Sequence, residues 1–349
     1  MTVEREKFGA FELAICLSRY GLGDIHSITE FARGSRRSPK IVIESQHGKF
    51  LFKRRARGKD DLKKVAFTHQ IQLHLAAENF PLPHLLGTRT DNNSMLIWQD
   101  QIYEMFEYIE GGGYDGSLEA TYHVGKILGL YHKLLAGFRG DYAPPRGSYH
   151  DAKAVAEAIG NTVRSLPMPG RPAPDVLMET VSYLENAYRQ CAEKVNQMGL
   201  GSWPLQIVHG DWHPGNMLFR DRNVVAVIDY DTTRLQQRVI DLANGALQFS
   251  IIGGAEDPTR WPEYLDESRF KRFLRGYDSA FTAGAVLSVA ELKAVPYLMC
   301  EAMVAEAVLP IAATGSFGRM EGFPFLQMVH RKVKWIQAHA AELQDALKD

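Results

Sequence analysis

This sequence has few cysteines and no long apolar run. Each of these two absences excludes some classes of protein. The three cysteines, Cys16, Cys191 and Cys300, lie more than a hundred residues apart. This spacing excludes a disulfide framework and a cysteine metal site, and it is typical of a reducing cytosol. No apolar run approaches the roughly 18 residues that a membrane span needs. Residues 4–7 are all charged, which excludes a secretory signal there. We expect a cytoplasmic protein without a membrane segment.

Neither sign of charge dominates, since 40 Lys and Arg face 41 Asp and Glu. The balance is nevertheless uneven: residues 1–105 hold 16 basic and 12 acidic side chains, and residues 106–349 hold 24 and 29. Most of the basic excess lies between Arg33 and Lys64. Three interpretations stay open for it: a nucleic-acid surface, attraction for a polyphosphate ligand, or an ordinary solvated face.

The 349 residues exceed the length at which single cores stop growing, so two lobes are expected. Short apolar runs predict a sheet of about five strands, with four of them at 41–44, 50–53, 95–98 and 102–106, and one helix at 60–79 after the third strand. Beyond Gly111–Gly113, long helical patterns are predicted at 118–137, 151–165, 175–198, 240–252, 265–282, 289–313 and 324–346. The prediction is an α+β protein with an antiparallel-sheet lobe at 1–105 and a larger, mainly helical lobe at 106–349.

The most informative segment is residues 207–229, where a hairpin gathers oxygen ligands. The letters D-R-N form a turn between two apolar runs. If Arg220 pairs with Val224 across this turn, Asn216 comes to lie beside Asp229. Amide and carboxylate oxygens of this kind suit Mg²⁺.

Asp211 stands five residues before Asn216, which is the spacing of the kinase catalytic loop H-R-D-x-x-x-x-N. Here the loop reads H-G-D from His209, and the later metal-binding position is Asp229. Phosphoryl transfer needs a base to orient the acceptor, an amide and a carboxylate to hold metal, and a lysine on the phosphates. The third predicted strand carries Lys53, which is either that lysine or a surface lysine, with Arg54 and Arg55 as possible substitutes.

The letters HGDWHPGN at 209–216, followed by IDYD at 228–231, resemble the aminoglycoside phosphotransferase/choline kinase superfamily, the small-molecule relatives of protein kinases. The resemblance spans about residues 25–345. It implies a bilobal protein-kinase-like fold and ATP- and Mg²⁺-dependent transfer of the γ-phosphoryl group to a hydroxyl of a small molecule. It also implies a role for each matching residue: Asp211 as catalytic base, His213 as phosphate contact or loop cap, Asn216 and Asp229 as Mg²⁺ ligands, His209 and Asp241 as supports of the catalytic loop, Lys53 on the phosphates, and Glu107 to Ile109 as the hinge that offers backbone groups to adenine.

Two positions depart from the family pattern. The helix glutamate that pairs with the strand lysine should fall near His69, but His69 and Gln70 stand there. Either a neutral side chain holds Lys53 or a carboxylate elsewhere replaces the glutamate. The phosphate-covering loop, Arg33–Arg37, has one glycine where protein kinases have three, which favours the small-molecule branch.

Several local alternatives remain. His209, Asp211 and His213 also match an H-x-D-x-H metal site of a hydrolase, which would leave Asn216 unexplained. Asp231 is either a third metal contact or a turn residue.

The acidic C-terminal lobe favours an acceptor with a positive group, such as an amino alcohol, an aminoglycoside or homoserine, and a sugar-like acceptor is also considered. Four aromatic residues, Trp203, Trp212, Trp261 and Tyr264, either line a cation-binding box or belong to the core. For the whole protein the alternatives are a bacterial protein Ser/Thr kinase of the same fold and a nucleotide-binding pseudokinase. We expect neither a nucleic-acid nor a membrane partner.

Overall fold

The computed structural model describes residues 5–167, 173–254, 257–281 and 287–346. Its N-terminal part contains one antiparallel sheet of five strands, in the order β1-β2-β3-β5-β4. The strands are β1 (Ile25–Glu30), β2 (Lys40–Ser45), β3 (Gly48–Arg54), β4 (Leu96–Trp98) and β5 (Gln101–Glu107). The predicted five-stranded sheet with a helix after its third strand is confirmed.

That helix, α2 (Leu62–Ala77), begins two residues later than predicted because Asp61 is its N-cap. The Asp61 side chain accepts a hydrogen bond from the N–H of Lys64, which satisfies one of the free donors of the first turn.

A short helix, α1 (Ala10–Leu17), precedes the sheet and was not predicted. Eight residues are too few to form a stable helix alone, so tertiary contacts must fix it. Glu12 provides them, because it accepts hydrogen bonds from Arg54 at 2.6 Å and from the hydroxyl of Tyr103 at 2.8 Å.

The C-terminal part is mainly helical, as predicted. Its helices are α3 (Leu118–Leu134), α4 (Lys153–Ser165), α5 (Pro174–Gln197), α6 (Arg238–Ser250), α7 (Glu267–Ser279), α8 (Val289–Thr314), α9 (Gly322–Ala338) and α10 (Ala340–Asp345). Three two-stranded sheets accompany them, formed by β6 (Leu205–Val208) with β9 (Arg234–Gln237), β7 (Met217–Arg220) with β8 (Asn223–Val227), and β10 (Ser316–Phe317) with β11 (Met320–Glu321).

Three details differ from the sequence-based prediction. The helix predicted at 324–346 is two helices that meet at His339. Strand β9 was missed because it is only four residues long and pairs with a strand 26 residues earlier. The tight hairpin of β10 and β11 was also missed.

Helix α8 corrects the expectation about apolar runs, since it is long and apolar enough to cross a membrane by length and composition. Most of its apolar window, 78 %, is buried inside the protein. The helix packs against α4, α5, α6 and α9, and its burial there accounts for its composition.

Buried side chains form two clusters. The smaller one joins α1 to the sheet through residues such as Cys16 and Phe52. The larger one fills the helical part, and it also contains Phe67, Ile71 and Leu75 of α2. The lobe boundary near residue 105 stays a prediction. Helix α2 comes before that boundary in the sequence, but these three of its apolar side chains belong to the core of the helical part.

Candidate active site

The hairpin of β7 and β8 is built on a tight turn. Asp221 and Arg222 both have positive φ angles, 48° and 64°, as a two-residue type I′ turn requires. Arg220 therefore pairs with Asn223, and its predicted pairing with Val224 is wrong. A two-residue turn of this type matches the strand twist better than the longer turn assumed from the sequence.

A bulge after Leu218 restores the predicted alignment at the open end of the hairpin. There the N–H of Ile228 donates a hydrogen bond to the carbonyl of Asn216 at 2.9 Å. Asn216 and Asp229 consequently lie at the same end of the hairpin, as predicted.

One buried carboxylate holds the loop that follows β6. Asp241, 1 % exposed, accepts hydrogen bonds from the N–H groups of His209 at 3.0 Å and Gly210 at 2.9 Å. His132 Nε2 lies 3.1 Å from the same carboxylate. Gly210 has a φ of +77°, and a Cβ there would lie 2.7 Å from the carbonyl oxygen of Thr232. This explains why glycine occupies the arginine position of the kinase pattern, and it fits the predicted supporting role of Asp241.

The His209 ring is fully buried and packs against Tyr131 and Trp212. Its Nε2 lies 3.3 Å from the carbonyl of Ile228, and burial lowers the pKa of the imidazole. The described residues contain no group of three or more His, Cys, Asp or Glu that could hold a metal, which does not support the H-x-D-x-H alternative with His213. Trp212 belongs to the core and not to a cation-binding box.

Asp211 and its neighbours form the centre of the loop. The Asn216 amide donates to the backbone carbonyl and to Oδ2 of Asp211, both at 3.0 Å. His213 Nε2 lies 3.5 Å from that Oδ2, and its Nδ1 accepts from the N–H of Gly215. His213 thus caps the loop, as one of the two predictions has it, and it also faces Asp211. Its contact with the transferred phosphate stays a prediction.

The electrostatics keep Asp211 ionised. Burial would raise the pKa of Asp211, but His213, His209 and the Asn216 hydrogen bond outweigh it and lower the pKa. Burial also opposes a charged His213, yet Asp211 and Glu306 raise its pKa. Because Nδ1 of His213 accepts from Gly215, its Nε2 is the ring nitrogen that can donate toward the Asp211 carboxylate. The ionised carboxylate can also accept a hydrogen bond from an acceptor hydroxyl.

The metal ligands implied by the resemblance fit their places. Because the amino group of Asn216 faces Asp211, its amide oxygen remains for a cation. Asp229, two residues after the end of β8, has a left-handed conformation (φ 62°, ψ 73°), which cannot continue the strand. An amide oxygen and one carboxylate are a donor set suited to Mg²⁺, with phosphate oxygens completing the coordination.

The carboxylate that pairs with Lys53 is Glu104 on β5. The two residues are direct partners across β3 and β5, with Lys53 Nζ 3.4 Å from Glu104 Oε2. His69 Nε2 lies 2.7 Å from Glu104 Oε1, and Gln70 bonds Asp141 instead. The alternative in which His69 or Gln70 holds Lys53 is therefore wrong, and a carboxylate from the sheet replaces the helix glutamate.

Glu104 is fully buried and carries several cationic contacts. Burial would raise its pKa, but Lys53, Arg55 and His69 hold the pKa of this carboxyl well below its ordinary range. Arg55 donates to Glu104 at 2.8 Å and to Asp231 at 2.9 Å. Asp231 is thus an ion-pair partner that links the sheet to the segment after Asp229.

The chain between the lobes keeps part of its backbone free. The N–H of Glu107 donates to His84 and that of Tyr108 to Lys49, so the Ile109 N–H is the hinge donor that we expect to face a ligand. In the following glycine segment, Gly112 exchanges two backbone hydrogen bonds with Phe219 of β7, at 2.8 and 2.9 Å. This segment is therefore hydrogen-bonded to the hairpin of β7 and β8.

Sequence reasoning missed Glu306 on α8. Its side chain accepts a hydrogen bond from Gln248 of α6. Burial, and next the charge of Asp211, raise its pKa to about 7, while His213 acts in the opposite sense. Glu306 lies in a region without motifs, and it is one of three glutamates in a mainly apolar helix, so its position there gave no specific signal.

The two lobes and the residues between them define a protein with a bilobal protein-kinase-like fold. The family profile described as APH, the phosphotransferase enzyme family, matches residues 27–285. The chain belongs to this family, which confirms the predicted superfamily and the prediction of a kinase that uses an alcohol group as acceptor.

Solved structures with the same fold cover nearly the whole chain. A microcompartment-associated aminopropanol kinase has a TM-score of 0.69 at 13 % identity and covers 96 % of this chain and 99 % of its own. An amicoumacin kinase, solved with AMP-PNP, Ca²⁺ and Ami, has a TM-score of 0.66 at 12 % identity, with 95 % and 94 % covered. The choline kinase of Cryptosporidium parvum has a TM-score of 0.61 at 15 % identity, with 96 % of both chains covered. No curated protein sequence matches the chain.

Proposed function

We propose that the protein is a cytoplasmic kinase that uses ATP and Mg²⁺ to phosphorylate a hydroxyl group of a small cationic molecule. The observation that carries the proposal is the convergence of two sets of groups. Asp211, Asn216 and Asp229 lie on one loop and hairpin, and Lys53 of the sheet interacts electrostatically with Asp231, two residues beyond Asp229. The amicoumacin kinase that shares the fold was solved with AMP-PNP and Ca²⁺, which supports a nucleotide and a divalent cation here.

Each of these residues has a separate role in phosphoryl transfer. The acceptor oxygen forms a bond to the γ-phosphorus as the bond to the β–γ bridging oxygen breaks, ADP leaves, and the hydroxyl proton passes to Asp211. Lys53 neutralises charge on the phosphates. Asn216 and Asp229 would hold Mg²⁺, which neutralises further phosphate charge. The rate arises from positioning and electrostatic stabilisation, with no covalent enzyme intermediate.

A cationic acceptor is favoured by the acidic groups around Asp211. The charge of Asp211 is one cause, after burial, of the raised pKa of the partly buried Glu306, so ionisation of both carboxyls at once is disfavoured. An ammonium group of the acceptor close to Asp211 would offset that repulsion and favour the ionised form of both. The aminopropanol and choline kinases that share the fold are named for amino alcohols, which supports the same class.

The contact between Lys53 and Glu104 bears on the pseudokinase alternative. That alternative depended on a lysine without a counter-ion, whereas Glu104 lies 3.4 Å away. It therefore loses its main support.

The test is an ATP-consumption screen with Mg²⁺ against pools of amino alcohols, aminoglycosides, amino acids and neutral sugars, with mass spectrometry of the products. We expect turnover and a phosphorylated product in a pool of cationic alcohols, and none with Asp211→Asn. Phosphorylation of a Ser/Thr peptide pool alone would favour the protein kinase alternative. ATP binding without turnover in any pool would contradict the proposal.

A further inference from the structure

The loop between β1 and β2, residues 31–39, lies over the sheet end that carries Lys53. The chain's N-terminal segment fastens it, because the Arg5 guanidinium donates to the carbonyls of Ala32 at 2.7 Å and Ser35 at 3.3 Å. The N–H of Glu6 also donates to the carbonyl of Arg36 at 2.9 Å. The loop is therefore held in place although it has only one glycine.

Lys40 is the residue at which this loop enters β2, and it is the direct cross-strand partner of Lys53. Directly opposite residues on one sheet face have Cβ atoms about 5 Å apart, so the two lysine side chains start side by side. Lys40 Nζ lies 3.4 Å from the carbonyl of Arg33.

The ammonium group of Lys40 lies beneath the loop, next to Gly34. Its φ is +79°, and a Cβ at this position would lie 2.6 Å from Lys40 Nζ. The one glycine of the loop is thus at the point where the lysine needs space. A larger residue there would meet both the strained backbone angle and the ammonium group.

The charges around Lys40 differ from those around Lys53. Lys53 is paired with Glu104 at 3.4 Å, whereas the ion pairs of the described residues include none made by Lys40. Burial and the neighbouring charge of Lys53 lower the pKa of Lys40, and Asp229 and Asp231 oppose this more weakly. In the sheet Lys53 lies between Lys40 and Glu104, so the carboxylate pairs with Lys53 and not with Lys40. The opposite charges that act on Lys40 are Asp229 and Asp231, on the other side of the cleft.

We propose that Lys40 is a second phosphate-binding residue, which together with Lys53 holds the polyphosphate of the nucleotide. In a glycine-rich loop, backbone N–H groups approach the phosphates closely. Here the loop has a single glycine, and the ammonium group of Lys40 lies directly beneath it. The inference rests on the proposed function in one respect, that the ligand of the cleft is a nucleotide polyphosphate.

The test compares Lys40→Met with wild type by calorimetry, with adenosine, ATP·Mg²⁺ and inorganic tripolyphosphate as ligands and no acceptor present. We expect affinity for ATP and tripolyphosphate to fall about tenfold or more, the usual effect of losing a charged hydrogen bond. Adenosine affinity should not change. Lys63→Met, which removes an exposed lysine of α2, is the matched control and should bind all three ligands as wild type does.

A second variant, Gly34→Ala, keeps Lys40 but displaces its ammonium group. Gly34→Ala should weaken ATP and tripolyphosphate in the same direction, and thermal unfolding will show that both variants are folded. Wild-type affinity for ATP in folded Lys40→Met would overturn the inference and leave the proposed function intact. Failure of wild type to bind ATP would overturn the proposed function and this inference with it.

Discussion

The two sides of the cleft are held together in different ways. On the helical side, Asp241 binds the catalytic loop through the backbone N–H groups of His209 and Gly210, within a stretch of 33 residues. On the sheet side, Glu104 is contacted by Lys53 of β3, by Arg55 just after β3 and by His69 of α2, and Arg55 extends the network to Asp231, 176 residues away. Backbone contacts fix the position of a loop, while side-chain ion pairs fix the position of a charge.

This difference indicates which property each side controls. Under the proposed function the helical side places the groups that act on the acceptor, so its variants should affect turnover. The sheet side would then place the cations that meet the phosphates, and its stability depends on buried charges that cannot be left unpaired. The following predictions test that division, beginning with the largest effect.

The first concerns Asp211 on the helical side. Asp211→Asn keeps the hydrogen bonding of the loop but removes the group that orients the acceptor and takes its proton. We expect turnover to fall about a hundredfold to ten-thousandfold, while ATP·Mg²⁺ binds nearly as before. Steady-state kinetics with the acceptor from the screen, and calorimetry with a non-hydrolysable nucleotide, measure the two effects. A parallel loss of nucleotide binding would contradict the division between the two sides.

The second concerns Glu104 on the sheet side. Glu104→Gln removes the carboxylate that the partly buried Lys53 and the buried Arg55 share, and it leaves Arg55 with Asp231 alone, so we expect a loss of about 3–5 kcal/mol in the free energy of unfolding. The control is Glu110→Gln, because Glu110 pairs with Lys49 at 3.0 Å on the surface. Solvent screens that exposed pair, so its loss should change stability far less than the loss of Glu104. Urea unfolding of both variants provides the comparison, and equal losses would show that the buried network has no special weight.

The third concerns Glu306 and pH. Its pKa is raised from 4.5 to about 7 in the folded protein. Between these two values the folded state holds more protons than the unfolded state, so this group makes stability fall as pH rises. Glu306→Gln removes the effect. We expect the variant to gain stability over wild type from pH 4.5 to 7, by at most about 3 kcal/mol, with no further gain above.

Urea midpoints at several pH values between 5 and 8 measure this difference. Glu342→Gln, at an exposed glutamate, controls for the loss of one charge. A difference between Glu306→Gln and wild type that does not vary with pH would show that burial does not hold the proton on Glu306.

The helical side was largely predictable because its signals are close in sequence. A turn, two apolar runs and a five-residue spacing were enough to bring Asn216 to Asp229, even though the pairing of Arg220 was off by one residue. The bulge that compensates for this could not be foreseen, since it depends on how the hairpin packs. The predicted roles of these residues stay predictions.

The sheet side was less predictable because its key pairing is long-range. Glu104 stands in the strand letters I-Y-E-M-F, where a carboxylate among apolar residues is a signal of a buried pair. Lys53 can be assigned as its partner only if the register of β3 against β5 is known. No tight turn fixes this register, because α2 and a long loop lie between the two strands. Helix α1 was missed for a similar reason, since contacts to Arg54 and Tyr103 hold it.

The position of Glu104 in the sheet has a consequence for regulation. In protein kinases the carboxylate that pairs with the strand lysine belongs to a helix, and the position of that helix controls activation. Here β3 and β5 are hydrogen-bonded neighbours, so the Lys53–Glu104 pair moves with the sheet as one body. A displacement of α2 would remove only the contact of His69 to Glu104. A helix swing is therefore not a means of switching this lysine pair on or off.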